Sequence, residues 1–202
     1  MKYSSFCFVI GWFFVLLALQ ACQPNTRSDH SISRSDETEI FKKASMGLSS
    51  VAFAHGQEIP KQFTADGQDL SPPLTWANVP VGTQSFVLIM DDPSVEGPNP
   101  WVHWVMYGIP VRMNGLSQGV PNTPSTTFGA MQGTDSWGTI GYRGPSPAPG
   151  KPHQYRFRLY AIDGMPNMMP GLTAPQVMSL LKDHVLATAE MTASYGRQVQ
   201  AK

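Results

Sequence analysis

The sequence predicts an all-β fold: an antiparallel β-sandwich with a short helical addition near the C-terminus. Three observations carry this. The apolar and alternating runs are short, of strand rather than helix length. Clusters of turn formers separate them, and Gly and Pro number 18 each in 202 residues. After Thr173 one stretch repeats its apolar residues at helical spacing instead.

Two segments of another kind precede the sandwich. Residues 1–21 read as an export signal of the lipoprotein type. Lys2 supplies positive charge, and an apolar stretch runs from Phe6 to Leu19, short for a membrane-spanning helix. It ends in Leu19-Gln20-Ala21-Cys22, which resembles the lipobox of bacterial lipoproteins, where the Cys is lipidated and becomes the new N-terminus. Gln20 departs from the small residue usual there. The only cysteines are Cys7, in the signal, and Cys22, so the mature domain is expected to carry no thiol and no disulfide. Residues 22–45 read as a flexible tether, with Ser28, Ser31, Ser33 and Ser35 set among Arg27, Asp29, Arg34 and Asp36. The expected location is a bacterial membrane facing the periplasm or exterior, the outer membrane if the host has one. A lipidated Cys22 is the expected anchor.

Residues 46–202 form the predicted domain. Leu48–Ala54 has β-branched and aromatic residues near period two. Phe86–Met90 is a continuous apolar run, expected to be a strand buried on both faces. In Trp101–Ile109, alternation puts Trp101, His103, Val105 and Tyr107 on one face and Val102, Trp104 and Met106 on the other. Tyr155–Ile162 alternates through Tyr155, Phe157, Leu159 and Ala161. Thr173 can cap a helix with Pro175 in its first turn, and Val177, Leu180, Leu181 and His184 mark its stripe. Period two returns from Ala187 to Tyr195, with Ala189, Met191, Ala193 and Tyr195 on one side.

Composition narrows the function. Lys plus Arg and Asp plus Glu each number 14, so the formal charge is zero. That balance lacks the basic footprint of a nucleic-acid binder. Charged residues make up 14%, well below the usual ~25%, and aromatics 10%, which excludes disorder over most of the chain.

The residues able to do proton or anion chemistry are few. His103 lies within Trp101-Val102-His103-Trp104, His153 follows a Pro-rich turn, and Asp91-Asp92-Pro93 leaves the most apolar strand. In order along the domain come Phe63-Thr64-Ala65-Asp66-Gly67, Ser71-Pro72-Pro73-Leu74-Thr75-Trp76, Asp91-Asp92-Pro93 and Trp101-Val102-His103-Trp104-Val105. Asp135-Ser136-Trp137-Gly138, Gly141-Tyr142-Arg143-Gly144-Pro145-Ser146-Pro147 and His153-Gln154-Tyr155 follow. This ordered set resembles the phosphatidylethanolamine-binding protein family, in its bacterial, Raf kinase inhibitor-like branch.

The resemblance implies a β-sandwich of that family's type with a small cavity for an anion, such as phosphate or a phospholipid headgroup. It assigns Asp92, His103, Ser146, His153 and Tyr155 to the cavity. Ser94 departs from the second Asp common in the family, and Ala148 interrupts the proline run. Chemically, both histidines can donate, and Asp92 is expected to orient an imidazole and favour its charged form. The turn from Gly144 to Ser146 is expected to offer backbone N–H groups. Trp101, Trp104 and Tyr142 are candidate walls. Trp76, Trp104 and Trp137 are expected in the core, His184 at the helix end, His55 in a loop, and Asp66 and Asp69 in turns.

The leading expectation is thus an extracytoplasmic, lipid-anchored binding protein, with no cofactor, resident metal or catalytic residue assigned. One alternative is an inhibitor of an envelope hydrolase or protease acting through the same pocket. An exported chain would not meet a cytosolic kinase. Another is a hydrolase, metal-dependent or acid–base, using Asp92, His103 and His153. A Ser146 esterase lacks the usual Gly-x-Ser-x-Gly elbow.

Overall fold

The computed structural model describes residues 45–164 and 167–198. The predicted signal, Cys22 and nearly all of the predicted tether lie outside the described residues. So does Met165.

Among the described residues, eight strands and one α-helix follow in order, besides a single 3-10 turn at Lys61–Phe63: β1 (Gly47–Ser49), β2 (Leu74–Ala77), β3 (Ser85–Asp92), β4 (Trp101–Pro110), β5 (Gly115–Leu116), β6 (Met131–Gln132), β7 (His153–Ile162), α1 (Ala174–Leu180) and β8 (Val185–Tyr195). They form a three-stranded sheet, β1-β2-β5, and a five-stranded sheet, β6-β4-β3-β7-β8, with antiparallel pairing between neighbours. The all-β expectation holds, with one short helix late in the chain.

The centre of the large sheet is buried on both faces. Its inner face packs Phe86, Leu88, Phe157 and Met191 against Leu74 and Trp76 of the small sheet. Its outer face packs Val87, Ile89, Val105 and Tyr107 under Val177 and Leu181. Every residue of β3 is buried, as a strand covered on both sides requires. β8 alternates as predicted, with Ala189, Met191, Ala193 and Tyr195 buried.

Three sequence expectations need correction. β1 stops at Ser49 rather than running to Ala54. The Ser50 hydroxyl donates to the Pro73 carbonyl (2.6 Å) and accepts the Ala52 N–H (3.1 Å), so a side chain takes the place of ladder bonds. The helix also ends early. Thr173 and Gln176 cap it reciprocally, and Pro175 lies in the first turn as expected. Beyond Leu181 the chain turns, so Leu180 is largely exposed and His184 leaves the apolar stripe. His184 Nδ1 instead meets Asp163 Oδ1 at 2.8 Å.

The third correction positions the site. On β3, Met90 pairs with Trp104 while Asp91 pairs with Val102. His103 is therefore the extra residue of a β-bulge, which resets the alternation. Val102 joins Val105 and Tyr107 on the outer face, while Trp104 and Met106 stay on the inner one. Trp101 and His103 do not share a face with Val105 and Tyr107; they line an inner cavity instead.

Candidate functional site

The inner end of the large sheet gathers side chains from three central strands. β3 ends at Asp92, the bulge of β4 aims His103 inward, and β7 begins with His153 and brings Tyr155 two residues later. With Ser146 from the Pro-rich loop they line one cavity of about 270 Å³, walled also by Trp101, Trp137 and Val95. All five residues assigned by resemblance meet there.

Asp92 is nearly buried. Its Oδ2 accepts a hydrogen bond from His153 Nδ1 at 2.7 Å. Its Oδ1 accepts the Ser94 N–H at 2.8 Å. The Ser94 hydroxyl accepts the Gln154 N–H at 2.9 Å, so the residue standing in for the second Asp ties the exit of β3 to the start of β7. The carboxylate thus orients His153.

His103 has a different partner. Its Nδ1 lies 2.7 Å from the Arg143 carbonyl. A carbonyl only accepts, so Nδ1 carries the proton and Nε2 keeps a lone pair. Burial pushes this imidazole below its ordinary value of 6.5, outweighing the Arg143 hydrogen bond and the charges of Asp92, Asp135 and Asp91. The expectation of an imidazolium favoured by Asp92 therefore fails for His103. The ring packs edge-on against Trp137 and Tyr155, at centroid distances of 5.0 and 5.2 Å. The Tyr155 hydroxyl stays protonated, its pKa raised by burial first and by the Asp92 charge second.

Several peripheral assignments change. Trp137 is not core: it is 39% exposed and lines the cavity, with the Arg143 guanidinium 4.5 Å above its ring. Trp104 is in the core, where it was expected, and Tyr142 joins it there instead of forming a cavity wall. Trp104 Nε1–H donates to Gln132 Oε1 at 2.8 Å, and the Tyr142 hydroxyl donates to the Phe63 carbonyl at 2.5 Å. The Gly144 N–H is not available to an anion, because Asp69 Oδ1 accepts it at 2.7 Å. Asp69 has a positive φ of 56°, so it is a turn residue that also braces the pocket loop.

Sequence reasoning missed Arg197. Its guanidinium pairs with Asp66 and donates to the Ser146 hydroxyl at 2.7 Å. Nothing around Arg197 in the sequence signals this reach. Trp137 did carry a signal, since it stands in a turn beside Gly138, an odd position for a core indole.

A larger cavity, about 470 Å³, opens on the outer face beside Asp91 and Arg158. It holds no histidine, and Asp91 is engaged by Arg156 and Arg158. The inner cavity, though smaller, is where the groups able to exchange protons converge, and we take it as the site.

A family model for phosphatidylethanolamine-binding protein matches residues 49–196. The chain belongs to the phosphatidylethanolamine-binding protein family. It is 40% identical over 152 residues to a UPF0098 protein of Methanothermobacter thermautotrophicus, covering 75% of this chain and 99% of that one. With a UPF0098 protein of Aquifex aeolicus it shares 39% over 160 residues, covering 76% and 90%. Among solved structures, a putative family homolog from Chlamydia trachomatis superposes with a TM-score of 0.70 at 34% identity, covering 76% of this chain and 99% of that one. Escherichia coli YbcL, a member of the mammalian family, gives 0.71 at 29% identity, covering 77% and 100%. Family and fold are those the ordered motifs implied.

Among the described residues no histidine bonds to Ser146, whose hydroxyl accepts from Arg197. Among the described residues no three His, Cys, Asp or Glu side chains are disposed to hold one metal ion. Both Asp92 oxygens are already engaged, and so is Nδ1 of each histidine.

Proposed function

We propose that this family member is an exported binding protein whose inner cavity holds a small anion, phosphate or a phospholipid headgroup. One observation carries the reading: Asp92, His103, Ser146, His153 and Tyr155, far apart in sequence, line the same cavity. Donors for an anion are the Tyr155 hydroxyl, the Ser146 hydroxyl, and His153 Nε2 when that ring is protonated. Charge-assisted bonds contribute about 1.5–3 kcal/mol each, so two or three of them hold a bare anion with modest affinity. Trp101 and Trp137 offer contact to whatever the anion is attached to.

Titration calorimetry with phosphate, phosphoethanolamine and acetate tests the pocket. Binding is expected for the wild type and is lost in a His103→Ala/His153→Ala double variant. Equal binding by both proteins would remove the site. The membrane anchor rests on Leu19-Gln20-Ala21-Cys22 following the apolar stretch. Labelled fatty acid fed to expressing bacteria should enter the wild type and not a Cys22→Ala variant. Absence of label from the wild type would refute the anchor.

A further inference from the structure

Apolar side chains collect at the end of the fold opposite the cavity, where no packing uses them. Six of the nine large hydrophobics that stand exposed among the described residues belong to that end: Val79, Val81, Val111, Leu180, Val185 and Leu186. Strand pairing brings them together. Ser85, the first residue of β3, pairs on one side with Pro110, just before Val111, and on the other with Ile162. Ile162 in turn pairs with Val185. The His184 N–H donates to the Leu181 carbonyl at 2.9 Å, which keeps the end of α1 beside the start of β8. A Cβ placed on Gly82 would lie 3.7 Å from Leu186 Cδ1, so the turn at Pro80–Thr83 rests against that side chain. The Thr83 hydroxyl donates to the Pro80 carbonyl at 2.7 Å, and the turn it closes presents Val81 fully exposed. Turn tips normally carry polar residues, and a clustered apolar patch marks a contact surface.

The surroundings of the patch indicate what meets it. The Asn78 amide donates to the Ser45 carbonyl at 3.4 Å, and Gly47 of β1 lies opposite Ala77. The chain coming from Cys22 therefore enters the domain beside Val79. The exposed charges near the patch balance, Arg112 and Lys182 against Asp163 and Asp183, so it offers no electrostatic footprint. Resting on the lipid-anchored reading above, we propose that this apolar end docks on the bilayer that carries the Cys22 anchor, with Val81 and Leu186 entering its interfacial layer. A patch this small would not hold a free partner, since a specific protein interface buries about 800 Å² on each side. Against a surface to which the chain is already tied, it has only to bias orientation. On the tether reading, residues 22–45 span about 25–30 Å in root-mean-square terms, which keeps the patch within reach of the lipid. β3 is eight residues long, so the Asp92 end and the inner cavity are held about 25 Å from the docked end. The cavity then takes its ligand from the aqueous side rather than from the bilayer beneath.

Quenching from the lipid reads this orientation. The full chain, purified from expressing bacteria and reconstituted into phosphatidylcholine vesicles, receives a polarity-sensitive dye on one introduced thiol, Val81→Cys or Lys151→Cys. The wild type treated alike gives the background from Cys7 and Cys22. Val81 is fully exposed and Lys151 lies exposed in the loop before β7, so neither change disturbs the core. Dye at position 81 should shift to the blue and lose about half its emission or more to a quencher carried high on the acyl chains, because docked apolar side chains reach about 5–10 Å into the interface. Dye at position 151, at the cavity end, should do neither. Salt at about 0.5 M should leave the signal in place, since the contact is apolar. Leu186→Asp or Val111→Asp should abolish the shift at position 81 while the protein still floats with the vesicles. If those variants do not fold, the two dye positions decide. Equal emission at both positions would overturn the docking and leave the anchor standing. A chain that does not float with vesicles would overturn anchor and docking together. Quenching confined to anionic vesicles and removed by salt would assign the contact to charge and overturn the proposal. A blue shift that follows protein density instead of the lipid quencher would give the patch to a second copy and overturn it too.

Discussion

Replacing Asp92 with Asn tests the element that joins fold to site. The carboxylate accepts from two donors at once, the Ser94 N–H on Oδ1 and His153 Nδ1 on Oδ2. An amide has one acceptor oxygen and cannot serve both. The Ser94 contact is part of the tight turn leaving β3, so the Asn oxygen should stay there and its NH₂ should face His153. The imidazole must then give up its Nδ1 proton and carry it on Nε2. A hydrogen bond to a charged group contributes about 1.5–3 kcal/mol. The His153 side chain is 27% exposed, so water replaces part of the loss, which leaves ~1–2 kcal/mol of destabilisation. Urea denaturation at fixed pH measures the loss, and nitrogen NMR of the imidazole reads the tautomer. A variant as stable as the wild type, with the Nδ1–H tautomer retained, would refute the role given to Asp92.

His103 and the Pro-rich loop give two further outcomes. His103 is depressed by burial, so between its folded pKa and 6.5 the unfolded chain binds the extra proton. Stability should therefore be full above 6.5 and fall as pH drops below it, with a slope of at most about 1.4 kcal/mol per pH unit; His103→Gln should remove that part of the slope in pH-dependent denaturation. A Cβ at Gly144 would lie 2.6 Å from the Phe63 carbonyl oxygen and 2.7 Å from Thr64 Cα. Gly144→Ala should cost about 1–3 kcal/mol in a melt and weaken phosphate binding by displacing Ser146.

Much of this was legible in the sequence, for physical reasons that can be named. The β3 run is apolar because both its faces are covered, and β8 alternates because one face meets solvent. The five cavity residues were legible only through the ordered motifs, since each strand alone gave a histidine or an aspartate without a partner. The bulge at His103 was not legible. Simple alternation placed that ring beside Val105, and only the register against β3 reveals the extra residue. Likewise Gly144 looked like a donor for an anion, and nothing local says that Asp69, 75 residues earlier, accepts its N–H. Long-range pairings of this kind leave no periodic trace.

The Asp91-Asp92 pair shows how the pleat divides labour, and it gives the last test. Consecutive strand residues face opposite sides of a sheet. Asp91 is thus committed to the outer face, where Arg156 Nε donates to it at 2.9 Å and Arg158 also pairs with it. Asp92 is committed to the inner cavity and to His153. The Asp91 carboxylate is 1% exposed while its two arginines are about a quarter exposed. Removing one member of a buried ion pair costs about 3–5 kcal/mol, and partial solvation of the arginines lowers this to ~2–4. Asp91→Asn should therefore destabilise the fold more than Asp92→Asn, yet leave phosphate affinity within about twofold, because no ligand in the inner cavity touches it. Asp92→Asn should do the reverse, with the smaller loss of stability and the larger loss of binding. If denaturation and calorimetry ranked the two variants the same way, the sheet would not be insulating its faces, and the assignment of one aspartate to the fold and the other to the site would fail.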